Sequence, residues 1–270
     1  MIFEALQYGF MQKALLTGLV TGISCSLLGV FLILRKHALI GDGISHISFG
    51  GVAAGILFGI MPFVGALVFS IIGALVINNL REKGKLHGDA SIGIVSHSAL
   101  GLGIFIASIA GGFNVDILSY LFGSILAIAS EEVILSSILA LVVILFIVVF
   151  YHDLFYMTFD EESAKVSGIS VSKLNIAMVI LTAITVVSSM RVVGLMLASA
   201  FIILPASSAL QLKMGFKKTL IYSGLISAFS VTLGLILSYN YNWAPSGTII
   251  LINTLVFIST YFISRINSPE

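Results

Sequence analysis

The chain has 270 residues, of which 59% are hydrophobic and only 9% charged, with a formal net charge of +1 and a mean hydropathy of +1.15. That composition excludes an ordinary soluble domain, because too few polar side chains remain to cover a water-facing surface, and the near-neutral charge balance excludes nucleic acid as a partner. The lone cysteine, Cys25, excludes an internal disulfide and any cysteine-cluster metal site, and reads as a small packing residue.

The expectation is an all-α, polytopic membrane protein built as one transmembrane domain over residues 1–270, with eight or nine helices of about 20 apolar residues each. The first run, 12–34, follows Glu4 and Lys13 without a basic leader or a small-residue cleavage site, so it reads as a span and not as a removable signal. Arg35, Lys36 and His37 then mark a return to water, with His37 expected to be solvated.

The second run, 42–59, opens inside the most informative stretch of the chain. Gly41–Gly51 reads Gly-Asp-Gly-Ile-Ser-His-Ile-Ser-Phe-Gly-Gly and sets a carboxylate and an imidazole in a segment otherwise fit for lipid. Asp42 and His46 are four apart, a spacing that stacks both side chains on one helix face, where they can grip one divalent cation. Ionisable groups inside a membrane segment cost roughly 2.5 kcal/mol or more each and persist where they face a cavity, a partner or a pathway. A buried Asp–His pair and a cap at the helix start are the structural alternatives. The surrounding Gly41, Gly43, Ser45, Ser48, Gly50 and Gly51 leave room for a substrate or let helices approach closely.

A third run at 63–80 leads into a charged loop, 81–89, that carries Arg81, Lys83, Lys85 and a solvated His87. The fourth run, 90–110, holds His97 between Ser96 and Ser98, either hydrogen-bonded to a neighbouring helix or a further metal contact. Residues 113–128 are too short and interrupted for a crossing and suit an interfacial helix or a re-entrant turn, with Tyr120 and Phe122 fitting either. A fifth run, 131–150, ends near His152, which reads as solvated.

The long connection from Tyr151 to Lys173 contains a short helix that Asp160 or Ser163 can cap, that Glu161 and Glu162 favour at its positive end, and that Gly168 stops. It is a solvated connector or a docking element for a partner. Runs at 174–190 and 192–212 flank Arg191, which marks a broken helix or a snorkelling end, and runs at 219–240 and 246–264 complete the set. With nine spans and the N-terminus outside, eleven cations (Arg35, Lys36, Arg81, Lys83, Lys85, Lys165, Lys173, Lys213, Lys217, Lys218, Arg265) fall in the cytoplasm and two, Lys13 and Arg191, outside.

No Gly-x-x-x-x-Gly-Lys-Ser/Thr run occurs, so any ATP-driven step belongs to another subunit. No His-Glu-x-x-His or Gly-x-Ser-x-Gly motif occurs either, which weighs against a hydrolase. A proton-coupled secondary transporter using Asp42 and His46 as a relay is the alternative from another class, and an importer of a metal chelate the alternative within transport.

Taken together, Phe31–His46, Tyr120–Ser124, the 158–171 loop and Val192–Ala206 resemble the membrane permease of the bacterial zinc/manganese/iron-type ABC importers, over nearly the whole chain. The Gly-Asp-x-x-x-His block carries most of that specificity. The residues from His46 to Ala53 and from Ser96 to Gly103 look more like zinc-type members than manganese-type ones, which tend to continue the histidine with an Ala-Val-Leu-Pro-Gly-like run. The resemblance implies a type II ABC importer-like permease, multi-pass in the bacterial cytoplasmic membrane, not itself an enzyme and without a resident cofactor. It implies a homodimer with two ATP-binding subunits, fed by an extracytoplasmic metal-binding protein and carrying Zn²⁺ or else Mn²⁺. It further implies that Asp42 and His46 form the metal station with His97 as a third contributor, and that the segment with Asp160, Glu161, Glu162, Ala164 and Gly168 couples to the ATP-binding subunit. One carboxylate with one or two imidazoles is a borderline donor set that suits zinc and accepts manganese or iron.

Overall fold

A computed structural model describes residues 7–83, 88–109, 112, 115–124 and 129–266. Glu4, Lys85, His87 and both ends of the 113–128 piece lie outside the described residues. The described residues form helices joined by short turns, with no strand. In chain order these are α1 Gly9–Leu34, α2 Ile40–Leu57, α3 Pro62–Lys83, α4 Gly88–Ile109, α5 Val115–Phe122, α6 Ser130–Val149, α7 Tyr151–Phe159, α8 Glu161–Val166 and α9 Val171–Ser189. A 3₁₀ turn, Leu195–Leu197, leads into α10 Ala198–Gln211, followed by α11 Phe216–Tyr241 and α12 Pro245–Ile266.

Two sets of contacts define the ends of the bundle. At one end the Lys13 ammonium donates to Ser130 Oγ at 2.8 Å, and Tyr8 and Phe10 pack on Tyr239. At the other, Phe216 is ringed by Phe31, Tyr151, Phe155 and Phe159, and Arg35 reaches Asn175. Helices α1 and α6 therefore run in one direction and α9 and α11 in the other.

Among the described residues eight helices are long and apolar enough to cross a membrane: α1, α2, α3, α4, α6, α9, α11 and α12. The segment 195–211 is shorter, yet it leads from Arg191, beside Glu132 near the start of α6, to Phe216 at the opposite end of the bundle. Seventeen residues rise about 25 Å, so α10 with its 3₁₀ lead makes a ninth, short traverse. The sequence runs 174–190 and 192–212 correspond to α9 and this segment, separated by a break at 190–194.

The break has a local cause. Gly194 adopts φ +83° and lies so close to the Leu121–Gly123 backbone that a Cβ has no room, and the Ser124 amide donates to the Arg191 carbonyl at 3.1 Å. The short helix α5 thus docks its C-terminal end on the break. Arg191 is buried there: its guanidinium contacts Glu132 Oε1 at 2.6 Å and lies 3.7 Å above the Tyr120 ring, while Tyr120 Oη donates to the same carboxylate. Of the two readings of Arg191, the broken helix is the one observed, and the cation is internally neutralised instead of snorkelling.

Small residues set the helix spacing around α2. Gly51 and Gly65 place α2 and α3 backbone to backbone, and Gly50 and Gly103 do the same for α2 and α4. The glycines after His46 therefore serve close packing, and before it Gly43 likewise packs on Ile92 of α4.

Candidate functional site

The turn from α1 into α2 is tight. Lys36 sits at φ +58°, the His37 amide donates to the Leu32 carbonyl at 2.7 Å, and the Ile40 amide to the His37 carbonyl at 3.1 Å. Asp42 follows as the third residue of α2, where the positive end of the helix favours its carboxylate. No side-chain cap bond forms at this terminus, which removes the capping role.

Asp42 Oδ2 and His46 Nε2 stand 3.8 Å apart, with side chains 52% and 24% exposed. That separation is too long for a hydrogen bond, so the pair is not simply satisfied within itself. Two metal–ligand bonds of about 2.1 Å at a tetrahedral angle span about 3.4 Å between donors, so a small adjustment lets one cation bridge the two. Ser199 Oγ, at the start of α10, donates to Asp42 Oδ1 at 3.3 Å and steadies the carboxylate. The Nδ1 of His46 is buried with no protein partner.

His97 approaches from α4. Its ring centroid is 6.1 Å from that of His46, and its Nδ1 lies 2.7 Å from the Gly93 carbonyl. If that contact is a donated hydrogen bond, Nε2 is the free lone pair, the arrangement common in metal-bound histidines. Among the described residues no three His, Cys, Asp or Glu side chains form a ready-made metal cluster. Asp42 and His46 are thus brought together, and His97 stands beside them without closing the site.

The residues expected to couple to a partner lie on α8 or flank it. Asp160 caps it, Oδ1 accepting from the Ser163 amide at 2.9 Å and Oδ2 from the Ser163 hydroxyl at 2.6 Å; the Ser163 hydrogen bonds hold its carboxyl below the usual range. Gly168, at φ +85°, ends the helix as expected. Glu162 is exposed. Ala164, expected to meet a partner, is fully buried, so its methyl seats α8 on its own chain.

Glu161 is likewise engaged internally. It pairs with Lys165 at 2.9 Å and with Arg35 at 3.1 Å, and its carboxyl is held low first by Lys165 and then by Arg35. Val166, not singled out in the sequence, is 90% exposed at the tip of α8.

His37 is not solvated. It is half-buried, its Nε2 accepts from the Arg81 guanidinium of α3, and burial together with the neighbouring Arg81 and Arg35 lowers its pKa to about 4. With Leu32, Arg35, Arg81, Glu161 and Asn175 it lines a cavity of about 280 Å³. His152, by contrast, is exposed as expected.

Arg35, Ser199, Glu132 and Asn175 were missed as functional or organising residues. Only Arg35 left a signal, as a cation next to the Asp–His block; the others depend on contacts between helices far apart in sequence.

The ABC 3 transport family profile matches residues 7–264. The manganese transport system membrane protein MntC of Listeria innocua is 34% identical over 98% of this chain and 93% of its own. The high-affinity zinc uptake system membrane protein ZnuB of Haemophilus influenzae is 32% identical over 92% of this chain and 95% of its own. Among solved structures, PsaBC from Streptococcus pneumoniae in complex with Fab superposes with a TM-score of 0.87 at 32% identity, covering 97% of this chain and 96% of the matched one.

Proposed function

The chain belongs to the ABC 3 transport family and is a multi-pass membrane permease subunit of a metal ABC importer, and from that premise we propose that its cargo is zinc, handled by Asp42 and His46 with His97 as a third donor. The observation that carries this reading is the open Asp42–His46 pair, 3.8 Å apart on one face of α2 and facing His97.

A transport site must bind without trapping. Two or three protein ligands, with water completing the shell, let the ion leave, whereas a closed four-ligand site holds it. Asp42 partly offsets the charge of a dication that has shed its water, and the imidazoles add the borderline donors that zinc favours.

The Arg35 end of the bundle is cytoplasmic in this reading. There α8 seats on a separate ATP-binding subunit, with Val166 and Glu162 outward and Gly168 ending the helix. The permease works as a homodimer, receives the ion from an extracytoplasmic binding protein, and alternates between outward- and inward-open states as ATP is bound and hydrolysed. Manganese is the second reading, favoured by the name of the 34% identical Listeria relative.

The test is metal accumulation, by elemental analysis, in cells lacking their own importers and expressing the complete transporter, supplied with equimolar zinc and manganese. Zinc accumulation exceeding manganese supports the assignment; manganese accumulation with zinc at background replaces it by the second reading.

A further inference from the structure

We propose that Arg35 is the positioning residue through which movement of α8 reaches the Asp42–His46 pair. This rests on the reading of α8 as the seat of the ATP-binding subunit.

Arg35 is the first residue after α1, and its side chain is only 8% exposed. Its guanidinium forks: Nη1 donates to Asn175 Oδ1 at 2.6 Å and approaches Met157 Sδ at 3.3 Å, while Nη2 donates to Glu161 Oε2 at 3.1 Å. One side chain thus ties the end of α1 to α7, α8 and the start of α9.

The link from Arg35 onward to the metal pair is short and stiff. Lys36 takes a left-handed backbone, φ +58°, that a residue with a Cβ adopts only under constraint, and the His37 and Ile40 amides close the turn on Leu32 and His37. Five residues beyond Arg35 α2 begins, and Asp42 is its third residue. No slack loop is present to absorb a displacement. His37, bonded to Arg81 at the end of α3, braces the same turn from the other side.

Electrostatics favours keeping the fork closed. Burial lowers the Arg35 pKa, and Glu161 is the largest opposing influence. If α8 is drawn away while Arg35 stays, a buried guanidinium loses its counter-charge, which is the costly way to break such a pair. Arg35 therefore follows Glu161, and the start of α2 follows Arg35. The movement changes how Asp42 and His46 face the pathway and so ties the nucleotide cycle to binding and release of the ion.

The experiment uses the complete transporter in proteoliposomes, with zinc chloride or manganese chloride, whichever the parent transporter moves, delivered by the binding protein, and measures metal uptake and ATP hydrolysis in the same vesicles. Arg35→Gln is expected to keep the ATP-binding subunit bound and hydrolysing while metal moved per ATP falls about tenfold. The exchanged pair Arg35→Glu with Glu161→Arg is expected to recover part of that ratio. An unchanged ratio in Arg35→Gln, whether both activities persist or both fall together, overturns the proposal, as does an exchanged pair no better than either single change. Should Arg35→Gln not accumulate, Arg35→Lys takes its place: it keeps the charge but not the fork, and must lower the ratio in the same direction. The underlying reading is tested separately by Val166→Asp, which must release the ATP-binding subunit if α8 is its seat.

Discussion

Around the Arg35 end the decisive physics is local: which charges are buried, and which partner each one holds. His37 accepts from Arg81 and is kept neutral, with its pKa near 4 against an ordinary 6.5. A folded-state pKa below the unfolded one means that the fold binds fewer protons, so the stability it contributes is present above about pH 6.5 and drains as pH falls toward about 4. Thermal unfolding of the detergent-purified protein between pH 7.5 and 4.5 is expected to show this loss, and His37→Gln to flatten it. A His37→Gln profile as steep as that of the parent chain would place the acid sensitivity elsewhere.

At the same scale, Asp42 and His46 were legible because four-residue spacing on a helix needs no tertiary knowledge. His37 was misread for the opposite reason: its burial depends on Arg81, which arrives from another helix 44 residues later. Glu161 looked like an outward docking residue, and only the folded turn shows it occupied by Arg35.

Among the elements, the break between α9 and α10 organises the end of the bundle opposite Arg35. Glu132, 2% exposed, pairs there with Arg191, and removing one member leaves a buried charge without compensation. Arg191→Gln is expected to cost about 3–5 kcal/mol, and Arg191→Gln with Glu132→Gln together less than the sum of the single changes. Chemical or thermal unfolding of the four proteins in one detergent reads this cycle; additive losses would show that the two groups do not depend on each other.

Gly194→Ala should also destabilise, by about 1 kcal/mol from the left-handed backbone alone and more from contact with the Leu121–Gly123 backbone. An unfolding midpoint equal to that of the parent chain would contradict that account. Most elements were readable as apolar runs, since a helix in lipid must satisfy its own backbone and so announces itself by composition. The exception was α7, too polar and short to stand out; α10 was readable as the 192–212 run, and the packing of Phe216 and Arg191 at opposite ends agrees with its traverse.

For the whole molecule, the bundle holds α2 between α3 and α4 through glycine contacts, with Asp42 exposed and His46 partly exposed beside Ser199 and His97. In the proposed mechanism the start of α2 is the end that Arg35 links to α8. Such a link would supply what an ATP-driven permease requires: a site that changes its exposure when a distant surface is moved.

The proposed mechanism turns on contact between the Asp42–His46 pair and the transported ion. Its most direct test is zinc and manganese uptake by the complete transporter in proteoliposomes, comparing the parent chain with Asp42→Ala and His46→Ala and scoring co-purification of the ATP-binding subunit alongside. Uptake of the transported metal is expected to fall at least about tenfold in both variants, the lower end of what disturbing even the groups behind a metal ligand costs, while the subunit remains bound. Uptake at the parent rate in either variant would contradict it and leave the Gly41–Gly51 stretch a packing element.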